Sequence, residues 1–261
     1  MKIAVKLTAV IIAISLIGIG ILTVITLSVA QKEIAELVHK QAASIAEQGG
    51  EKVKDWLNVY MDESRALAHV MGQYEQIPVA ERRAFFDVLL KGFLAGNPEL
   101  PGVWCGWEPN ALDGLDAEYA NTEGTDGSGR YIPTWGKTSE GFFVQPLAGY
   151  ETNPAYIGPL QTGKEFVLDP YLYNFGGQDL LLTNLCVPIK NNGRVVGVVG
   201  VGIELHYIQA VVSEIKPFDD GVAALFSNQG VVVAHYDPSR IGKPMQDTEQ
   251  DMSGSYLNSF I

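Results

Sequence analysis

Eight residues between positions 104 and 173 have side chains suited to gripping a small organic molecule: Trp104, Trp107, Arg130, Tyr131, Trp135, Tyr156, Tyr171 and Tyr173. Aromatic rings cover apolar or planar bodies, and the planar fork of Arg130 matches a carboxylate or similar oxyanion. Arg130 has a competing use, pairing with an acidic loop residue such as Asp126. No catalytic constellation accompanies the set. There is no GxSxG, no P-loop, and no HExxH or HxxxH among His39, His69, His206 and His235, whereas acid–base chemistry needs positioned titratable groups. Cys105 and Cys186 lack metal-ligand spacing and sit in apolar, strand-like runs, where buried free thiols are expected over a bridge. The residues point to a binding protein rather than an enzyme, with no metal and no cofactor.

These side chains need a framework, and its centre is residues 179–205: DLLLTNLCVPIK, NNG, RVVGVVGVGIEL. Two β-rich runs around Asn-Asn-Gly predict a hairpin. With a three-residue loop, Asn191 to Gly193, Lys190 lies opposite Arg194, Leu185 opposite Val199, Ile189 opposite Val195 and Leu181 opposite Ile203. One face is then solidly apolar; a two-residue loop would set Leu185 against Gly200 and mix the faces. The other face carries Asn184, Cys186, Val198, Gly200 and Gly202. Strand glycines mark close approach, either by a packed element or by a ligand in a cavity. Gly197, Gly200 and Gly202 lie mid-strand with no helix start behind them, so they are not a dinucleotide loop. Asn184 and Gly202 join the candidate ligand contacts.

The formal net charge is −12, or −14 without Lys2 and Lys6, which argues against nucleic acid as a partner. Residues 7–30 carry no charge, a run long enough to span a bilayer and longer than a typical signal-peptide core. Ser28-Val29-Ala30 has the small-residue pattern of a cleavage site, the competing reading. Lys2 and Lys6 place residues 1–6 in the cytoplasm and 31–261 outside an inner membrane. Residues 31–78 hold a helical stalk. Its stripe (Ile34, Val38, Ala42, Ile45, Gly49, Val53, Trp56, Tyr60, Leu67, Met71, Tyr74) is poised to pack on its own domain or on a second copy. A shorter helix at 80–94, strands from Gly102, a polar loop at 111–129 and a helix or turn at 153–163 follow. DGLDAEY and TDGSG in that loop lack the spacing of an EF-hand. After Leu205 come a linking helix and a second hairpin around SNQG. Too few strands remain by residue 261 to close a second sheet, so a fragment of a longer protein is expected.

An N-terminal span and long helix precede GRYIPTW, AYIGPLQTGKEFVLDPYLY, LLTNLCVPIKNNGRVVGVVGVGIEL and GVAALFSNQGVVVAHYDPSRIGK. Together these resemble the double-Cache sensor domain of bacterial methyl-accepting chemotaxis proteins over most of residues 31–261. The resemblance implies an α/β (α+β) fold of two PAS-like antiparallel-sheet modules on the long helix. The membrane-distal, ligand-binding module would be 79–215, and an incomplete membrane-proximal module 216–261. It also implies a homodimer that passes a piston-like or rotational shift to cytoplasmic signalling partners through a region beyond residue 261. The same outer domain would serve a histidine kinase or diguanylate cyclase; a membrane-anchored periplasmic enzyme and a structural stalk are further alternatives. The family's amino-acid pattern is Arg-x-Trp-Tyr, then Tyr-x-Asp, then an Asp closing the GVVGVD strand. Here Tyr156 and Tyr171 match, but Asn153 and Ala155 replace Arg and Trp, and Tyr173 and Gly202 replace the two Asp. Without those acids a buried ammonium group would lack compensation for its desolvation. The expected ligand is therefore a small organic anion, not an α-amino acid or amine. If residues 7–30 are an anchor, mass spectrometry of the membrane fraction should find the N-terminus intact; a mature chain starting at Gln31 would refute it.

Overall fold

The computed structural model describes residues 2–175, 177–218 and 221–249, so the last stretch of the expected second module lies outside the described residues. The described residues form two compact units, one up to residue 50 and one from residue 51. Helix α1, Lys2–Met71, contributes to both, and Gly49 and Gly50 are helical. In the first unit the apolar side chains face outward; Leu16, Ile17 and Leu22 are each more than 60% exposed. Its most apolar stretch has a mean hydropathy of 2.8. The hydroxyls there bond inside the helix, Thr23 to the Ile19 carbonyl and Thr26 to that of Leu22 at 2.8 Å, Ser28 to that of Val24 at 2.9 Å. A helix that satisfies its own polar groups while presenting apolar side chains suits a bilayer.

The second unit is an antiparallel sheet covered on both faces. Its strands are β1 (Gly102–Trp107), β2 (Pro133–Thr138), β3 (Gly141–Pro146), β4 (Phe166–Val167), β5 (Tyr171–Phe175), β6 (Gln178–Asn191) and β7 (Arg194–Glu204). Their order is β3-β2-β1-β7-β6-β4, with β5 also paired to β6. Helix α2 (Arg82–Gly96) and the C-terminal turns of α1 cover one face, and α3 (Pro154–Thr162) the other. After β7, α4 (Leu205–Ser213) leads to a two-stranded sheet of β8 (Leu225–Phe226) and β9 (Val232–Ala234), then α5 (Met245–Thr248).

The hairpin turns differently from the three-residue loop expected above. Asn191 pairs with Arg194, so the loop is the two residues Asn192 and Gly193, with φ of 49° and 80°. Two successive positive φ values make the hairpin turn whose twist matches the strands. The mixed faces that such a loop would bring are avoided by a bulge at Ile189/Lys190. Beyond it Leu185 faces Val201, Val187 faces Val199 and Thr183 faces Ile203. Each partner moves two residues from the expected one, and a shift of two leaves every side chain on its expected face. Leu185, Ile189, Val199, Val201 and Ile203 are fully buried against Met71, Phe86 and Leu90, each large side chain contributing about 1.5–3 kcal/mol.

The long loop between β1 and β2 is tied to α2 by an ion cluster. Arg83 donates to both Asp113 oxygens at 2.6 and 3.1 Å, to Asp116 at 2.9 Å and to the Gly129 carbonyl at 2.9 Å. All three charged side chains are buried, and the guanidinium lies 4.0 Å from the Tyr119 ring centre. Burial alone would raise the Asp113 pKa, but hydrogen bonds from Arg83 and the Leu115 amide bring it below its ordinary value. That stabilisation is complete above the ordinary Asp pKa of about 3.9 and fades as pH falls toward the lower folded value. Arg83→Met should cost about 3–5 kcal/mol in urea unfolding, because it strands buried carboxylates. Arg65, half-exposed in its pair with Glu165, should cost under about 1 kcal/mol when changed to Met; equal losses would overturn this contrast.

Candidate functional site

The non-helical-core face of the β6–β7 hairpin forms the floor of a cavity. Gly200 pairs with Trp104 across β7 and β1, and the Trp104 indole occupies the place a Gly200 side chain would take. Its Nε1 donates to Asn184 Oδ1 at 3.1 Å, and Asn184 Nδ2 bonds the Tyr171 hydroxyl, so both ends of the amide are oriented. Gly202, opposite Asn184, meets its nearest neighbours only at 3.5–3.8 Å and borders open space. Thus one glycine accommodates a ring and the other lines the cavity.

The roof is α3. The Asn153 side chain accepts from the Ala155 amide at 2.9 Å as an N-cap, Pro154 starts the helix, and Gly163 ends it at φ 64°. This sets Ala155 and Tyr156 against the sheet, where a Cβ on Gly106 would come within 2.6 Å of the Tyr156 ring. Trp104, Tyr150, Tyr156, Tyr171 and Tyr173 supply five aromatic walls, with Gly102, Thr134, Leu147, Ala148, Asn153, Ala155, Leu182, Asn184 and Gly202 between them. The cavity volume is about 20 Å³, room for little more than one water.

Among the described residues, no carboxylate, amine or guanidinium lines it. Burial raises the pKa values of Tyr156, Tyr171 and Tyr173, so these phenols stay protonated. Gln145 donates to the Tyr173 hydroxyl at 3.3 Å. Thr134 Oγ1 is buried without a hydrogen bond of good geometry, although it lies close enough to Tyr173 to influence that phenol. Arg130 stands behind the wall. It donates to the Trp107 carbonyl at 2.9 and 2.6 Å, to Glu108 at 3.1 Å and to the Tyr156 hydroxyl at 2.6 Å, and sits 4.6 Å from the Tyr150 ring centre. Its carboxylate partner is Glu108; Asp126, the acid weighed in the sequence, instead accepts from Ser128 and from Tyr150.

Of the ten candidate contacts, the fold gathers Trp104, Tyr156, Tyr171, Tyr173, Asn184 and Gly202 around this cavity. The other three aromatic candidates lie elsewhere. Trp107 is buried on the helical side, 5.1 Å from Tyr74 and 5.7 Å from Phe86 between ring centres. Tyr131 and Trp135 are on that side too, both donating to Asp87, at 2.8 and 3.0 Å. Strand alternation separates them: Trp104 and Trp107 are three residues apart and must point to opposite faces. Thr134, Leu147, Tyr150 and Leu182 also line the cavity, beyond the ten candidates. Thr134 had a signal, since it alternates with Trp135 on one strand; Tyr150 comes from a turn and had none. Cys105 and Cys186 are free and buried on opposite faces, their thiols raised by burial. Among the described residues no three His, Cys, Asp or Glu side chains converge on a metal site.

Residues 95–210 match the family described as methyl-accepting chemotaxis protein-like, first PDC sensor domain. The methyl-accepting chemotaxis protein TlpQ of Pseudomonas aeruginosa is 30% identical over 183 residues, covering 63% of this chain and 26% of that protein. The chain thus spans about a quarter of the length of that curated relative. Two crystal structures of extracellular domains described as those of histidine kinases are also similar. The domain of mmHK1S-Z2 is 30% identical with a TM-score of 0.69, covering 81% of this chain and 78% of that one. The domain of mmHK1S-Z3 is 29% identical with a TM-score of 0.71, covering 86% and 79%. Within the cavity, Gly200→Ala should force Trp104 off its seat and cost about 1–3 kcal/mol with a changed near-ultraviolet circular dichroism. Gly202→Ala, which has room for a methyl group, should cost less than half as much in the same unfolding experiment; the reverse order would contradict this packing.

Proposed function

Because the chain belongs to the PDC, or Cache-type, family of extracellular sensor domains, we propose that it is the ligand-sensing region of a transmembrane chemoreceptor, with its ligand in the cavity between α3 and the sheet. The observation that carries this reading is how the cavity is built: five aromatic walls around an amide oriented at both ends. The family is one of sensors, not enzymes. The small β8–β9 sheet is the opening of a second, membrane-proximal module. The helix of residues 7–30 anchors the chain in the inner membrane with the sensor outside. Two copies pair through the exposed apolar stripe that includes Ile34 and Val38, and cytoplasmic partners are reached through sequence beyond residue 261. The identity to the mmHK1S-Z2 domain favours a second output, a histidine kinase, for the same sensor.

The cavity selects for a small, weakly polar molecule with a planar or apolar body. Rings cover that body, while the Asn184 amide and the Thr134 hydroxyl meet its polar end. The organic anion expected from Arg130 loses its main support, since Glu108 already matches that charge and a ligand carboxylate would have to displace it. With room for about one water, the site admits a ligand only if the rings part. Asn184 faces the cavity while the adjacent Leu185 packs with Met71 of α1 in the core, so parting the wall shifts the strand on which the helix rests. In a thermal-shift screen of the purified chain, planar neutral compounds should raise Tm, a hundredfold excess over Kd being worth about 2.7 kcal/mol. Asn184→Ala should remove the shift. If organic acids alone stabilise the chain and Arg130→Gln abolishes their effect, the anion reading is right and the neutral one wrong.

A further inference from the structure

A second cavity of about 250 Å³ lies on the opposite side of the sheet, between α2, the loop before β2, and β3. Its walls include the rings of Tyr119, Tyr131 and Trp135, and its acids are Asp87 and Glu123. Asp87 is held in place by one oxygen, which accepts from the Tyr131 hydroxyl and the Trp135 indole; among the described residues its other oxygen has no hydrogen bond. Neither Asp87 nor Glu123 is in an ion pair among the described residues. The guanidinium of Arg83 also borders the space, but Asp113 and Asp116 together outweigh its single charge. Aromatic faces attract cations through their quadrupole, and a carboxylate fixed beside them supplies the counter-charge that makes desolvating a cation tolerable. The first cavity has rings but no carboxylate; this one has both. The Trp135 ring already takes an ammonium group, that of Lys91, 5.5 Å from its centre.

We propose that this second cavity is a binding site for a small organic cation, a primary amine in its ammonium form, separate from the cavity on the α3 side. The ammonium hydrogens bond Asp87, the alkyl body lies against Tyr131 and Trp135, and Glu123 at the loop edge adds long-range attraction. Occupancy would draw the loop of residues 119–125 toward α2, giving the same module a second input.

The test is a titration of the purified full chain in detergent with n-propylamine hydrochloride, read by tryptophan fluorescence and calorimetry, with n-propanol as the uncharged counterpart. The amine should bind saturably, n-propanol should not, and Trp135→Phe should remove the fluorescence change. Asp87→Asn, which keeps an acceptor for Tyr131 and Trp135, should weaken binding about tenfold or more, as loss of one partner of a buried charge pair does. Glu123→Gln, at an exposed loop position, leaves the fold alone and should weaken binding by about two- to fivefold, the size of an exposed pair. Equal binding of amine and alcohol, unchanged affinity in both charge variants, or no saturation up to tens of millimolar would each overturn the proposal.

Discussion

The candidate site rests on one contact, the Trp104 indole lying where Gly200 has no side chain. That contact brings β1 and β7 close and turns Nε1 toward Asn184, fixing the amide. Asn184 in turn holds the Tyr171 hydroxyl, which fixes that ring of β5 as a wall of the cavity. A side chain at position 200 would dismantle the sequence of contacts from its first member, since rings in packed interiors have few alternative places to go. The glycines of β7 are thus part of the site's geometry, although they offer a ligand no functional group.

The same strands serve two compartments. In β6 and β7, Leu185 and Val199 face α1 and α2, while Asn184 and Gly202 face the cavity. At the hairpin tip, Asn191 donates to the Gly72 carbonyl at 3.1 Å, and the Lys190 carbonyl leaves no room for a side chain on Gly72. The end of α1 is therefore pinned to the tip, and the turns before it lie on the apolar face. A displacement of β6 at the cavity has a direct mechanical path to the helix because no loop intervenes.

Buried charge is handled differently on the two sides. On the helical side, Arg83 is balanced by Asp113 and Asp116, while Asp87 is held by neutral donors with burial raising its pKa. On the cavity side, Arg130 near the wall is matched by Glu108 and capped by a backbone carbonyl. Low-dielectric surroundings make any unpaired charge expensive, so each arrangement limits what its neighbouring space can accept. The α3 cavity is neutral; the α2 cavity is acidic and aromatic.

Much of the fold could be read from residue order alone, because alternation and helical period are local. The apolar face of the hairpin, the polar face with Asn184 and Gly202, the helix near 82–96 and the short helix after Asn153 all follow from short-range patterns. The bulge could not be read, since it reconciles a favoured two-residue turn with the burial of Leu185, and burial is a property of the whole sheet. The site was half legible. Trp104, Tyr156 and Tyr171 were visible as aromatic residues, but Tyr131 and Trp135 belong to another space because sheet parity and strand order, not proximity in sequence, decide which rings meet. Arg130 was legible as a cation, and only the folded chain decided its partner. Glu108 follows β1, and β1 must cross the sheet before that carboxylate can reach the guanidinium.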